Sequence, residues 1–242
     1  MKYLPLKLEI LYQDDYLVAI NKPNGLLVHR TKMASDATEF ALQKLRDQLD
    51  KQVYPCHRLD RKTSGLLLFA LNESTNSLMQ LQFSEGKINK RYLAIVRGFA
   101  PTEGLIDYPL KKDNGKPQDA ITKYKTVDRA EMKIPFAGHT TSRYSLLEVE
   151  PLSGRMHQIR KHLAHIFHPI IGDRPHGCNK QNKLFKEKWN MMSMMLHASS
   201  ITFSHPITNE KINIIAQPSE EFLRTSQFLG FKISFENELC IS

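Results

Sequence analysis

The chain has 242 residues, 41% of them apolar and 24% charged, with a formal net charge of +9. That length buries a substantial core without staples, no apolar run reaches membrane-spanning length, and the N-terminus lacks the apolar centre of a secretory signal, so a cytoplasmic protein is expected. The excess of Lys and Arg points to an anionic partner, and the lack of a basic amphipathic helix with a strong apolar face argues against a membrane surface. Cys56, Cys178 and Cys240 are far apart and form no C-x-x-C pair, which argues against a disulfide framework and fits a reducing compartment. Cys56 is expected to be a small buried residue.

In chain order, Leu8–Tyr12 and Tyr16–Ile20 read as short strands split by the turn signal at 13–15, followed by an Asn21–Gly25 loop. Asp36 with Glu39 is close to a capping box for a helix running to about residue 50. Gly65–Leu71 is a continuous apolar run, expected to be a buried central strand, and a helix follows over 74–85 with Gly86 as its stop. Arg91–Arg97 reads as a strand. Residues 111–142 are mixed in character, with one strand expected at Ala120–Thr126, and Tyr144–Glu150 is another strand. Residues 156–167 read as a helix, with Met156, Ile159, Leu163 and Ile166 on one face and His157, Arg160, Lys161 and Ala164 on another. Residues 176–193 read as basic and irregular. Ile201–Ser204 and Lys211–Ile215 close the strands, Ser219 caps a last helix that Gly230 stops, and the tail from about 234 is expected to fray. Strands and helices do not alternate regularly, which predicts an α+β fold rather than a doubly wound one, in one domain or two joined lobes.

The segment His57-Arg-Leu-Asp-Arg-Lys-Thr-Ser-Gly65 carries the most chemistry. It flanks one carboxylate, Asp60, with Arg58, Arg61 and His57, and places it on a loop just before the buried strand. Neighbouring cations favour the ionised acid, which suits a nucleophile or base working on a polyanion. A surface ion-pair cluster is the alternative on these residues alone. A second segment, Ser153-Gly-Arg-Met-His-Gln-Ile-Arg-Lys-His162, sets Arg160 and His157 one turn apart on the helix, where Arg160 can reach a carboxylate or phosphate with two N–H groups. A third, Lys90-Arg-Tyr92, puts an aromatic ring beside two cations, a pattern suited to stacking on a base or to an ordinary half-buried strand tyrosine. His157, His162, His165 and His168 lack metal-ligand spacing, so no metal is expected. The methionines of 191–195 are expected to fill core. Lys180, Lys183, Lys186 and Lys188, like Lys111, Lys112, Lys116, Lys123 and Lys125, suit either phosphate contacts or a solvated charge run.

Taken together, Val18–His29, His57–Gly65, Lys90–Gly98, Gly154–Ala164 and His168–Asp173 occur in the order, and over most of the length, seen in pseudouridine synthases of the ribosomal-large-subunit-A type, which the chain resembles. The H-R-L-D-x-x-T-S-G string is the specific part; the K-P-x-G and H-P pieces are weak alone. Val28-His-Arg30, Asp107-Tyr-Pro-Leu110, Thr141-Ser-Arg-Tyr144 and Arg160–His165 bring it nearest to the tRNA pseudouridine synthase C group.

The resemblance implies a mixed, mostly antiparallel sheet flanked by helices with a central RNA-binding cleft, no S4-type RNA-binding domain ahead of Leu8, and isomerisation of a uridine in tRNA, at position 65 in the T stem. It implies Asp60 as the essential acid, Tyr92 against the target base, Arg160 as partner of the aspartate, and Arg58 as the residue that helps displace the nucleotide. His57, Arg61, Lys90, Arg155 and His157 are expected on the RNA. No cofactor or nucleotide is needed, no membrane is involved, and a monomer is expected. Whether Asp60 attacks as a nucleophile or abstracts a ribose proton stays open. A ribosomal RNA target and a non-catalytic RNA-binding protein are the competing readings.

Overall fold

The structure, a computed structural model, describes residues 7–29, 39–112 and 114–233. Asp36 of the expected capping box and the tail from residue 234 lie outside the described residues. In chain order the first elements are β1 (Glu9–Gln13), β2 (Leu17–Lys22), α1 (Ala41–Leu49), β3 (Tyr54–Pro55), β4 (Ser64–Ala70) and α2 (Glu73–Ser84). Then come β5 (Asn89–Arg97), β6 (Glu103–Asp107), β7 (Leu110–Lys111), β8 (Pro117–Gln118), β9 (Ile121–Met132), β10 (Ser142–Pro151) and α3 (Gln158–His165). The last are α4 (Asn179–Trp189), β11 (Leu196–Ser204), β12 (Lys211–Ile215) and α5 (Glu220–Phe228). Mixed sheet and flanking helices make the fold α+β. Among the described residues, no helix is long and apolar enough to cross a membrane.

The chain divides into two compact units. One takes its described residues from Met1–Ile88 and Ala198–Gln217. Its strands run in the order β1-β2-β4-β11, with β12 on β11 and β3 on β4. β2 and β4 pair antiparallel from Leu17 opposite Ala70 to Lys22 opposite Gly65, and every residue of β4 is buried, as its unbroken apolar run predicts. Gly65 has φ +105, and a Cβ there would land on the backbone of Ala198. Gly65→Ala is therefore expected to cost about 3 kcal/mol or more, read as a lowered midpoint of chemical denaturation; an unmoved midpoint would show that the strands can part at no cost. The helix predicted from residue 74 is present as α2, its first turn closed by the Asn72 side chain accepting from the Thr75 N–H.

The other unit takes its described residues from Asn89–His197 and Pro218–Asn237. Its strands run β5-β10-β9-β6, with β7 and β8 paired separately. β5 and β10 are antiparallel, with Tyr92 opposite Val149 and Arg97 opposite Tyr144. The core includes Ile95, Tyr144, Leu147, Leu163, Phe185 and Phe222. Met191, Met194 and Met195 are buried filler, while Met192 is exposed. Ser219 caps α5 by accepting the Phe222 N–H, as read from the sequence.

Several expectations need correction. Residues 176–193 are not irregular, since α4 occupies 179–189. Only Gln181 and Phe185 of that helix are buried, too few apolar positions to show a period, and the lysines at 180, 183, 186 and 188 ride a helix rather than a loop. β9 runs on to Met132, well past the expected strand. Its second half alternates exposed Val127, Arg129 and Glu131 with half-buried Asp128, Ala130 and Met132, a pattern that reads as loop when scored for hydrophobicity. β6, β7 and β8 were not anticipated. α3 is shorter than 156–167, beginning after His157, and Met156 is exposed rather than in the core.

Candidate active site

In the first unit Asp60 sits on the loop that enters β4. The loop turns back on itself through Thr63 N–H to the Asp60 carbonyl at 3.0 Å. The Leu59 side chain and the Thr63 and Ser64 side chains are buried, while Asp60 is half-buried and Arg58 and Arg61 exposed, so the carboxylate stands on a fixed base and meets solvent. His57 is turned back into the fold: its Nε2 accepts the Leu68 N–H at 3.1 Å and its ring lies on Phe83, which requires the neutral imidazole with its proton on Nδ1. Cys56 is buried, as expected, and burial pushes its thiol up to about 12.

A turn at residues 23–26 is strapped to this loop. Gly25 N–H donates to the Arg61 carbonyl at 2.9 Å, Arg61 Nε returns a bond to the Gly25 carbonyl at 3.1 Å, and the Asn24 amide donates to the Lys62 carbonyl. Beneath them lies Lys22, with no exposed surface. Its Nζ donates to the carbonyls of Pro23 (2.9 Å), Leu26 (2.8 Å) and Arg61 (3.2 Å). Burial pulls its pKa down to about 7, and the charge of Asp60 pulls it the other way. Reading the sequence missed Lys22. The signal was a lysine closing the otherwise apolar run Leu17-Val-Ala-Ile with only Asn21 between, in the N-K-P-x-G string.

In the second unit Tyr92 is partly buried on β5 and packs against the core. Lys90 Nζ donates to the Ser153 carbonyl at 3.4 Å, and burial lowers its pKa while Glu150 opposes that shift. The segment before α3 is organised by Gln158, 4% exposed. Gln158 Oε1 accepts from Ser153 Oγ (2.7 Å) and the Arg155 N–H (3.0 Å), and Nε2 donates to the Ile121 carbonyl (2.9 Å) and Thr122 Oγ1 (3.1 Å). Arg155 is exposed and its Nε donates to the Asp119 carbonyl at 3.0 Å. His157 sits at φ +55 as the residue before the helix, its Nδ1 3.0 Å from His176 Nε2.

Arg160 is not on a solvated helix face. It is 6% exposed and makes a two-pronged pair with Asp173, Nε to Oδ2 and Nη2 to Oδ1, both at 2.8 Å. Asp173 is 1% exposed. The Asn182 amide of α4 donates to its carbonyl at 2.7 Å and accepts the Gly172 N–H at 2.8 Å. The guanidinium is thus fixed along the edge that carries Nε and Nη2. Asp173 closes the His168-Pro-Ile-Ile-Gly-Asp string, but nothing in the spacing announced its partner. The other histidines of α3 are structural: His162 is buried between Thr122 Oγ1 and the Tyr108 carbonyl, and His165 stacks on Tyr108 with ring centres 3.8 Å apart. Among the described residues no group of three or more His, Cys, Asp or Glu is placed to hold a metal ion.

The model of the RNA pseudouridylate synthase family matches residues 16–165. The tRNA pseudouridine synthase C of Vibrio parahaemolyticus is 45% identical over 97% of this chain and 98% of its own length. That of Pasteurella multocida is 45% identical over 90% and 94%, respectively. Among solved structures, human RNA pseudouridylate synthase domain containing 4 superposes with a TM-score of 0.70 at 25% identity, covering 93% of this chain and 94% of that one. With a family model spanning most of its length and relatives alike from end to end, the chain belongs to the RNA pseudouridylate synthase family and is an isomerase that converts uridine in RNA to pseudouridine.

Proposed function

We propose that this enzyme acts on tRNA, at uridine 65 of the T stem, with Asp60 as the carboxylate that works on the nucleotide. The observation that carries the tRNA reading is the set of relatives named tRNA pseudouridine synthase C, alike along 90% and 97% of this chain in the two cases given. Position 65 rests on the resemblance of the short motifs. Tyr92 lies against the target base, Arg160 steadies the charge of Asp60, and Arg58 helps displace the nucleotide. His57, Arg61, Lys90, Arg155 and His157 serve the RNA contact, His57 by holding the loop that presents Arg58 and Asp60.

The chemistry balances without an outside reagent. The bond from ribose C1′ to uracil N1 breaks, the ring turns, C1′ bonds to C5, and the hydrogen lost from C5 is matched by one gained at N1. A stem uridine must first leave its stack, at a cost of a few kcal/mol that phosphate contacts from a basic surface offset. The test is to incubate the purified protein with unmodified tRNA and with unmodified ribosomal RNA and to map pseudouridine in each. Conversion at tRNA position 65 is expected; conversion confined to ribosomal RNA would remove the tRNA assignment.

A further inference from the structure

At the C-terminal end of β5, five residues along the strand from Tyr92, the second unit holds a cavity of about 250 Å³. Five strand residues are roughly 17 Å, so this is a separate place from the tyrosine proposed to meet the base. Its walls set Arg97, His139, Thr141 and Arg143 beside the Phe136 ring, with Gln181 as the buried wall. Two phenyl rings hold the guanidiniums in place, Arg97 over Phe136 at 5.2 Å and Arg143 over Phe99 at 5.1 Å. Glu131 takes up Arg143, accepting its Nε at 3.2 Å and Thr141 Oγ1 at 2.6 Å. No carboxylate pairs with Arg97 among the described residues.

Gln181 points to a ligand. It is 1% exposed, and its amide meets the Tyr144 hydroxyl at 2.6 Å through one atom while the other has no partner among the described residues. A buried polar atom left without a partner costs about 1–3 kcal/mol. With the amide turned by half a rotation, Tyr144 donates to Oε1 and the unpartnered atom of this cavity-lining residue becomes an N–H donor. A guanidinium without a carboxylate, a histidine, and an amide donor around a space smaller than the roughly 300–1,000 Å³ of drug-sized pockets suit one tetrahedral anion better than a whole cofactor. We infer that this cavity binds a phosphate group.

Phe167 favours a phosphate that belongs to a nucleotide. It is 88% exposed and holds φ +64 just after α3, where glycine is the preferred residue. Such a ring strains the backbone and buries nothing, yet it is free to stack on a base. Its neighbours are tied to the cavity's strand: His168 Nδ1 lies 2.9 Å from the Arg97 carbonyl, and the Pro169 carbonyl accepts the Arg97 N–H at 3.0 Å.

The test uses the full chain and two single variants, Arg97→Gln and His139→Ala, checked for an unchanged thermal midpoint. Inorganic phosphate is titrated and followed by NMR, and the affinity for a tRNA transcript is measured across a salt series. Arg97→Gln is expected to weaken phosphate binding at least tenfold, to weaken RNA binding by about tenfold, and to reduce the slope of log affinity against log salt by about 1. Lost phosphate binding with unchanged RNA affinity would keep the site and overturn an RNA backbone as its source, in favour of a free phosphate-bearing molecule. Unchanged phosphate binding in both variants would overturn the site altogether. The RNA arm rests on the substrate reading above, but none of these readouts requires isomerisation, so failure of that reading shows separately, as RNA that binds without being converted.

Discussion

Asp173→Ala is expected to lower stability by about 3–5 kcal/mol and to cut the turnover of the molecules that remain folded. The stability loss follows from what stays behind. Arg160 and Asp173 are 6% and 1% exposed and exchange two hydrogen bonds of 2.8 Å. Removing the carboxylate takes from a buried guanidinium the counter-charge and the two short hydrogen bonds that hold it, the costly way to break a buried pair. The turnover loss follows from aim. With Nε and Nη2 held, Arg160 has one orientation; released, its long side chain has many. If Arg160 serves Asp60, kcat on saturating RNA falls while the RNA dissociation constant barely moves. Asp173→Asn keeps the shape and one acceptor and should fall between the two. If Asp173 is merely structural, stability drops and the kcat of the folded fraction does not.

Lys22→Met is expected to reduce turnover by roughly 10–100-fold, the scale of losing a group that fixes the geometry of a reacting one. Three carbonyls from the turn and from the Asp60 loop converge on its Nζ, and the thioether takes this donor from all three, leaving the Arg61 carbonyl to the Gly25 N–H. The same variant changes how stability depends on pH, and the sign can be worked out. The folded pKa of Lys22 is depressed to about 7 from the ordinary lysine value of 10.5. Between those values the unfolded chain holds the proton and the folded chain has shed it, so folding gains stability as pH rises. Methionine carries no proton, so the advantage of the wild type over Lys22→Met should widen from about pH 7 toward pH 10. Parallel stability curves for the two proteins would mean that Lys22 titrates alike in both states.

What reading the chain recovered, and what it missed, follows from how local each cause is. β4 was visible because seven consecutive buried positions leave an apolar run, and α2 and α5 were visible because their stops and caps, Asn72 aside, are encoded beside them. The Asp60 loop was legible because its charges stand together in one short string. α4 was hidden because its fit to the core depends mainly on Phe185 and Gln181, with lysines filling the remaining turns. The Arg160–Asp173 pair joins a helix to a loop 13 residues away, and spacing cannot select that carboxylate among the others. Lys22 was passed over because a lysine at a strand's end normally reaches water, whereas here three carbonyls replace it. Long-range closure of a polar group, unlike the periodicity of an apolar face, leaves no local trace.

The most direct test of the central claim is pseudouridine formation on unmodified tRNA by the wild type and by Asp60→Asn, with RNA affinity measured alongside. The amide keeps the size of the carboxylate and removes its charge and basicity, while the strapped loop around it, Lys22, Gly25 and Arg61, stays in place. The account predicts no pseudouridine from the variant and an RNA dissociation constant within about tenfold of the wild type, or 1.4 kcal/mol. Pseudouridine formed by Asp60→Asn at a rate near that of the wild type would contradict it.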